Sequence, residues 1–152
     1  MKTISGRNIS EAIKPFKNPS HILDVGTGNG RWVEEVAHRY PDAEVIGMDL
    51  SPIQPTFVPS NAKFLVGDLT VHLPSLFQQE SFDLIHSRMV KLGIPGQLWD
   101  RYVAQVFLLL KPGLGWAQFV ELSNIFHEAL IPPDRPMYQV SCIQCGKANS
   151  SF

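Results

Sequence analysis

The sequence predicts an α/β fold, a Rossmann-like doubly wound parallel sheet with strand order 3-2-1-4-5. Three observations predict it. Short apolar runs alternate along the chain with helical stripes or crossover loops, the pattern of a parallel sheet covered on both faces. Three of those runs lead into an acid: Asp24, Asp49 and Asp68. The first acid is followed at once by glycines at every second position, Gly26, Gly28 and Gly30, where a helix is about to begin. In such sheets ligands sit beyond the carboxyl ends of the strands, where the strand order reverses.

The elements follow in order. His21–Val25 (HILDV) is the first strand, compact and apolar. Asn29 is placed to cap a helix in which Trp32, Val33, Val36, Ala37 and Tyr40 recur at helical spacing, and Pro41-Asp42 ends it. Ala43–Asp49 is the second strand. Pro52, Pro55 and Pro59 then forbid a regular helix, so this crossover is an extended loop. Lys63–Gly67 is the third strand and Phe82–His86 the fourth. Leu98, Tyr102, Val103, Val106, Phe107 and Leu110 form the stripe of a long helix that stops at Lys111-Pro112-Gly113. Gly115–Leu122 is the fifth strand. The core thus runs over about residues 20–122, and residues 123–152 form a tail in which PMYQVSCIQCGK reads as a helix. No repeat or linker divides the chain, so residues 1–152 are read as one domain.

Composition narrows the function classes. With 44% hydrophobic and 18% charged residues the chain has the balance of a soluble globular protein. A net charge of −1, with the basic residues scattered, gives no footprint for nucleic acid or an anionic membrane. No apolar run has the length of a membrane span, and the N-terminal residues lack the apolar core of a signal peptide. Two cysteines are not a disulfide framework, which predicts an intracellular protein, cytoplasmic or nuclear. Cys142-x-x-Cys145 offers two ligands where a structural zinc site wants four, so no metal is expected.

The glycine spacing separates the possible ligands. A dinucleotide fingerprint is G-x-G-x-x-G, whereas here Gly30 is followed by Arg31; a P-loop needs Gly-Lys-Ser/Thr, which is absent. An acid two residues before Gly26 also suits a cationic ligand group better than a phosphate. The pattern D-x-G-x-G-x-G, Asp24 to Gly30, resembles the first motif of class I S-adenosylmethionine-dependent methyltransferases. Further motifs follow in order: VIGMD ending in Asp49, FLVGDLT with Asp68, SFDLIHSR, and KPGLGWAQFVE. DLSPIQPTFVPSN, FDLIHSR and IPPDRPMYQ are similar to the fungal methyltransferases related to the secondary-metabolism regulator of the velvet complex. The resemblance covers roughly residues 20–140.

The resemblance implies a truncated class I methyltransferase fold with S-adenosylmethionine as cofactor and S-adenosylhomocysteine as product. Gly26, Thr27, Gly28 and Gly30 would admit the methionine part, with Asp24 ordering the loop and the bound amino group. Asp49 would accept from the ribose hydroxyls, and Met48 or Leu50 would flank the adenine. Asp68, with the Leu69 N–H beside it, would take the adenine edge. His86 is either a general base for the acceptor or a hydrogen-bonded structural residue, and Arg88 either holds an acidic acceptor or sits in solvent. Asp83 reads as a structural acid, and Trp99, Tyr102 and Phe107 as core.

The acceptor implied is a small molecule, such as a secondary metabolite in keeping with the fungal resemblance, or a protein. The alternative is an inactive methyltransferase-like domain acting through cofactor binding or a partner. The family continues with a sixth strand and an antiparallel seventh inserted beside the fifth, and these are not expected here. Strand five is then an open edge, to be covered by a second copy, another protein or the tail.

Overall fold

In a computed structural model, residues 18–121, 138–142 and 148–151 are described. Five parallel strands form the centre of the sheet: β1 (His21–Val25), β2 (Glu44–Asp49), β3 (Ala62–Val66), β4 (Leu84–Arg88) and β5 (Trp116–Glu121). Their order is β3-β2-β1-β4-β5, as the alternation of elements predicts. Helix α1 (Arg31–Arg39) follows β1, the short α2 (Leu73–Leu76) follows β3, and α3 (Gly96–Leu109) precedes β5. Residues 50–60 form the extended crossover that the prolines dictate. The short α2 and a single 3₁₀ turn at Lys91–Gly93 carry no periodic signal and were not foreseen.

The strands separate two cores by their period of two. Ile22, Val45 and Leu84 face α1 and pack with Val33, Val36 and Ala37. Leu23, Val25, Ile46, Met48 and Ile85 face the other way and join Tyr102, Val103, Val106 and Phe107 of α3. Each such side chain, sealed from water, contributes about 1.5–3 kcal/mol of burial. Trp99, Tyr102 and Phe107 are core, as expected. The cap position of α1 is Gly30 and not Asn29 as expected; the Asn29 carboxamide, one residue earlier, accepts from the Arg31 N–H at 3.2 Å. The other end of α1 is held by Asn61, whose amide donates to the carbonyls of Ala37, Tyr40 and Ala43.

Asp83 is structural, as read. One oxygen accepts from the Ser20 and His21 N–H groups, each at 2.9 Å, and the other from Lys111 Nζ at 2.7 Å. Burial pushes its carboxyl up, but the Lys111 ammonium and the two backbone donors outweigh it and hold the group below the ordinary aspartate value of 3.8. The unfolded chain therefore takes up a proton before the folded one does. The stabilisation is complete above the ordinary value and disappears as pH falls through the folded one. Asp83→Ala is expected to lower stability by about 2 kcal/mol at neutral pH. Acid titration followed by circular dichroism should also show a shallower loss below about pH 4 in the variant than in the parent.

Two expectations are corrected here. The segment read as a C-terminal helix contains a strand, β6 (Tyr138–Cys142), which pairs in parallel with β5; β7 (Ala148–Ser151) then pairs antiparallel with β6. Tyr-Gln-Val-Ser-Cys alternates apolar and polar residues, and the bare edge of β5 supplies backbone partners that a helix would leave unused. A sixth and a seventh strand, not expected, are thus present, and of the three occupants considered for the β5 edge it is the tail that covers it. The strand beside β5 is also parallel, so the family's inserted antiparallel strand is not there. Cys145 lies outside the described residues, as does His127.

Candidate functional site

The carboxyl ends of β1, β2 and β3 bring Asp24, the glycine loop, Asp49 and Asp68 to one end of the sheet. The loop itself is fixed by backbone bonds: the Gly26 and Thr27 N–H groups both donate to the Met48 carbonyl, at 2.8 and 3.0 Å. All three glycines have left-handed backbones, at φ 73°, 59° and 80°, but their surroundings differ. A Cβ at Gly26 would lie 2.3 Å from Val90 Cγ1, and one at Gly30 would lie 2.4 Å from Phe64 Cζ. Gly28, at φ 59°, would point a Cβ into open space, with nothing within 4 Å. Gly26 and Gly30 are thus bare so that the protein can close on itself. Gly28 is bare because its left-handed backbone disfavours a side chain and not because a neighbour would be struck, which leaves the space beside it open for a ligand to approach the backbone.

Asp49 fastens this loop to β2. One carboxylate oxygen accepts from the Gly28 N–H at 2.8 Å and the other from the Ser51 N–H at 2.9 Å. A carboxylate offers about four acceptor directions, so each oxygen keeps one for a ligand hydroxyl. Gln54 closes the other side of the loop, donating to the carbonyls of Gly28 (2.6 Å) and Ser51 (2.8 Å). Gln54 had no sequence signal, being 26 residues from Gly28 in a proline-rich stretch.

Asp24 is nearly sealed, 2% exposed. Its two oxygens meet Thr27 Oγ1 at 2.6 Å and His86 Nδ1 at 2.7 Å, and His86 lies flat against Trp32, the rings 4.1 Å apart. Asp24 therefore shapes the loop from beneath through Thr27. Direct contact with a bound amino group is not what this burial provides. The position expected for His86 is corrected as well. β4 begins and ends two residues later than predicted, so His86 is in mid-strand, in register with Asp24. Its ring is buried under α1, the arrangement of a structural partner to Asp24. Arg88, at the end of β4, is exposed at the mouth.

At the third strand, Asp68 Oδ1 accepts from both the N–H and the hydroxyl of Thr70, at 2.8 and 2.6 Å. These two bonds, the hydroxyl foremost, hold the carboxyl below its ordinary value and keep it ionised. Among the described residues Asp68 Oδ2 and the Leu69 N–H carry no hydrogen bond, leaving one acceptor and one donor adjacent in the chain. The Leu69 side chain is core, at 8% exposure, while Leu50 is 60% exposed at the rim. Met48, the other residue considered for the adenine, is fully buried on the α3 face. Thr70 was legible as an Asp-x-Thr turn; Trp32 and His72, which also shape the site, were not singled out.

The residues present fit the cofactor that the motifs imply. There is an open approach at Gly28, a doubly anchored carboxylate for paired hydroxyls, and a free acceptor and donor at Asp68-Leu69. Among the described residues no group of three or more His, Cys, Asp or Glu is placed to hold a metal, and no helix is long and apolar enough to cross a membrane.

Comparisons with known proteins agree with this reading. Residues 22–113 match the family model described as a methyltransferase domain. The secondary metabolism regulator LAE1 of Cochliobolus heterostrophus is 39% identical over 80% of this chain and 39% of its own. The N-methyltransferase gliN of Aspergillus fumigatus is 34% identical over 92% of this chain and 49% of its own. The chain thus spans less than half the length of these curated relatives. The crystal structure of a TehB-like SAM-dependent methyltransferase from Corynebacterium glutamicum superposes with a TM-score of 0.59 at 27% identity, covering 74% of this chain and 62% of that one.

Proposed function

The chain belongs to the class I S-adenosylmethionine-dependent methyltransferases, in the group of the fungal secondary-metabolism regulators, and on that premise we propose that it transfers a methyl group from this cofactor to a small-molecule or protein acceptor. The observation that carries the reading is Gly28: a left-handed glycine facing open space, with its N–H fixed on Asp49. When bound, the cofactor supplies a methyl group already activated on a sulfonium. The chain's own work is binding and alignment. Gly28 lets the backbone approach, Asp49 accepts from hydroxyls, and Asp68 with Leu69 takes a flat heterocyclic edge. Asp24, Thr27, His86 and Trp32 keep the loop in shape from below. Arg88 is exposed where β4 ends, and in this reading it would meet an acidic acceptor.

A second reading, a domain that binds the cofactor without transferring methyl, draws on one observation. His86, the residue considered as a base, is spent on Asp24 and buried.

Calorimetric titration with S-adenosylmethionine and S-adenosylhomocysteine tests the binding. The parent is expected to bind both. Gly28→Ala should weaken binding by tenfold or more while losing only about 1–2 kcal/mol of stability, the cost of a left-handed alanine. Gly30→Ala, driven into Phe64, should lower stability further. A folded parent that binds neither compound would overturn the proposal. Transfer of radiolabelled methyl to any acceptor would decide between the two readings.

A further inference from the structure

Asp68 is held by more than Thr70. Its N–H donates to His72 Nδ1 at 2.8 Å, and the His72 N–H donates back to the Asp68 carbonyl at 2.9 Å, closing the loop on itself. A ring nitrogen that accepts a hydrogen bond carries no proton, so this geometry requires neutral imidazole with its proton on Nε2. An imidazolium has donors at both nitrogens and cannot make this contact. The ring is also exposed, so a proton can reach it.

The charged groups around it are few. Asp68 faces it directly, across the bond from its N–H to Nδ1. Helix α2, which His72 precedes, reads Leu-Pro-Ser-Leu and carries no charge. Helix α3, packed on α2, has exposed Asp100 and Arg101, of opposite sign. A protonated His72 is therefore drawn to the Asp68 carboxylate, whose Oδ2 is the oxygen left without a partner.

Resting on the cofactor reading above, we propose that His72 is a positioning residue for the adenine side of the site. Its neutral ring holds the Asp68 backbone in the binding shape. Its protonation releases that backbone and turns a cation onto the oxygen the adenine amino group needs, so cofactor affinity falls with pH. Asp68 itself remains ionised over the range concerned, being held below the ordinary aspartate value of 3.8, so its own protonation does not produce the effect.

The test uses the full chain and two variants, His72→Asn and His72→Ala. The asparagine carboxamide oxygen stands close to where Nδ1 stands and accepts without titrating. S-adenosylmethionine is titrated calorimetrically at about pH 8 and about pH 5.5, either side of the range in which imidazoles change charge. The cofactor's own amino group titrates alike against all three proteins, so the comparison is between variants. The parent is expected to bind about tenfold more weakly at the lower pH, the asparagine variant to lose less than about threefold, and the alanine variant to be weak at both.

NMR supplies a readout free of cofactor: the Asp68 amide proton should shift with the His72 ring titration in the parent and stay still in the asparagine variant. An asparagine variant with the parent's full pH loss, or an amide indifferent to the ring, overturns the role of His72. An amide that follows the ring in a protein that binds no cofactor at either pH supports the hydrogen-bond switch but overturns both the cofactor reading and the affinity effect built on it.

Discussion

Asp49→Ala is expected to weaken S-adenosylmethionine binding by at least about a hundredfold, the largest single loss available at this site. The carboxylate serves two purposes at once. It holds the Gly28 N–H at 2.8 Å and the Ser51 N–H at 2.9 Å, which fixes the approach of the glycine loop to β2. In the proposed reading its remaining lone pairs accept from paired hydroxyls. Hydrogen bonds to a charged group are worth about 1.5–3 kcal/mol each, so losing two, with a loosened loop, reaches the stated factor. The fold should survive, because Gly28 and Ser51 lie where water can replace the lost acceptor, and stability should fall by only about 1–2 kcal/mol. Asp49→Asn keeps one acceptor oxygen and should lose about tenfold. Calorimetry below the melting transition measures the affinities, and urea unfolding the stability. An alanine variant binding within threefold of the parent would remove Asp49 from the site.

Asp24→Ala is expected to act on folding first, costing about 3–5 kcal/mol for two buried hydrogen bonds to a carboxylate. Thr27 Oγ1 and His86 Nδ1 both point at Asp24, and His86 is 4% exposed, so neither finds a ready substitute in water. For a domain with a total stability of about 5–15 kcal/mol this is a large share. Asp24→Asn leaves one acceptor and should cost roughly half as much. The midpoint of urea unfolding measures both. A cost below about 1 kcal/mol for alanine would mean that the buried pair contributes little and that His86 is free for another role.

Much of this was legible along the chain. Alternation of apolar runs with helical stripes was enough for the order β3-β2-β1-β4-β5, because parallel strands need crossovers and crossovers obey one hand. The gathering of Asp24, Asp49 and Asp68 at one end of the sheet was legible, since an Asp at or near the end of a parallel strand lies toward its carboxyl edge. Asp83 and the aromatic residues of α3 were read correctly from local pattern. The C-terminal strand was misread because its five-residue alternation is short and its stability depends on a partner edge.

What the sequence determined by itself is the glycine cradle: spacing and residue type suffice there, because a tight turn and a left-handed backbone are local demands. What only the tertiary structure decided is how each glycine and each acid is used. Gly26 and Gly30 are crowded by Val90 and Phe64, while Gly28 faces open space. His86 meets Asp24 across 62 residues because two parallel strands pair in register, and that pairing turns a candidate base into a buried support. Such contacts depend on strand register and on which face each side chain takes, quantities settled by packing the whole sheet and not by any window of sequence.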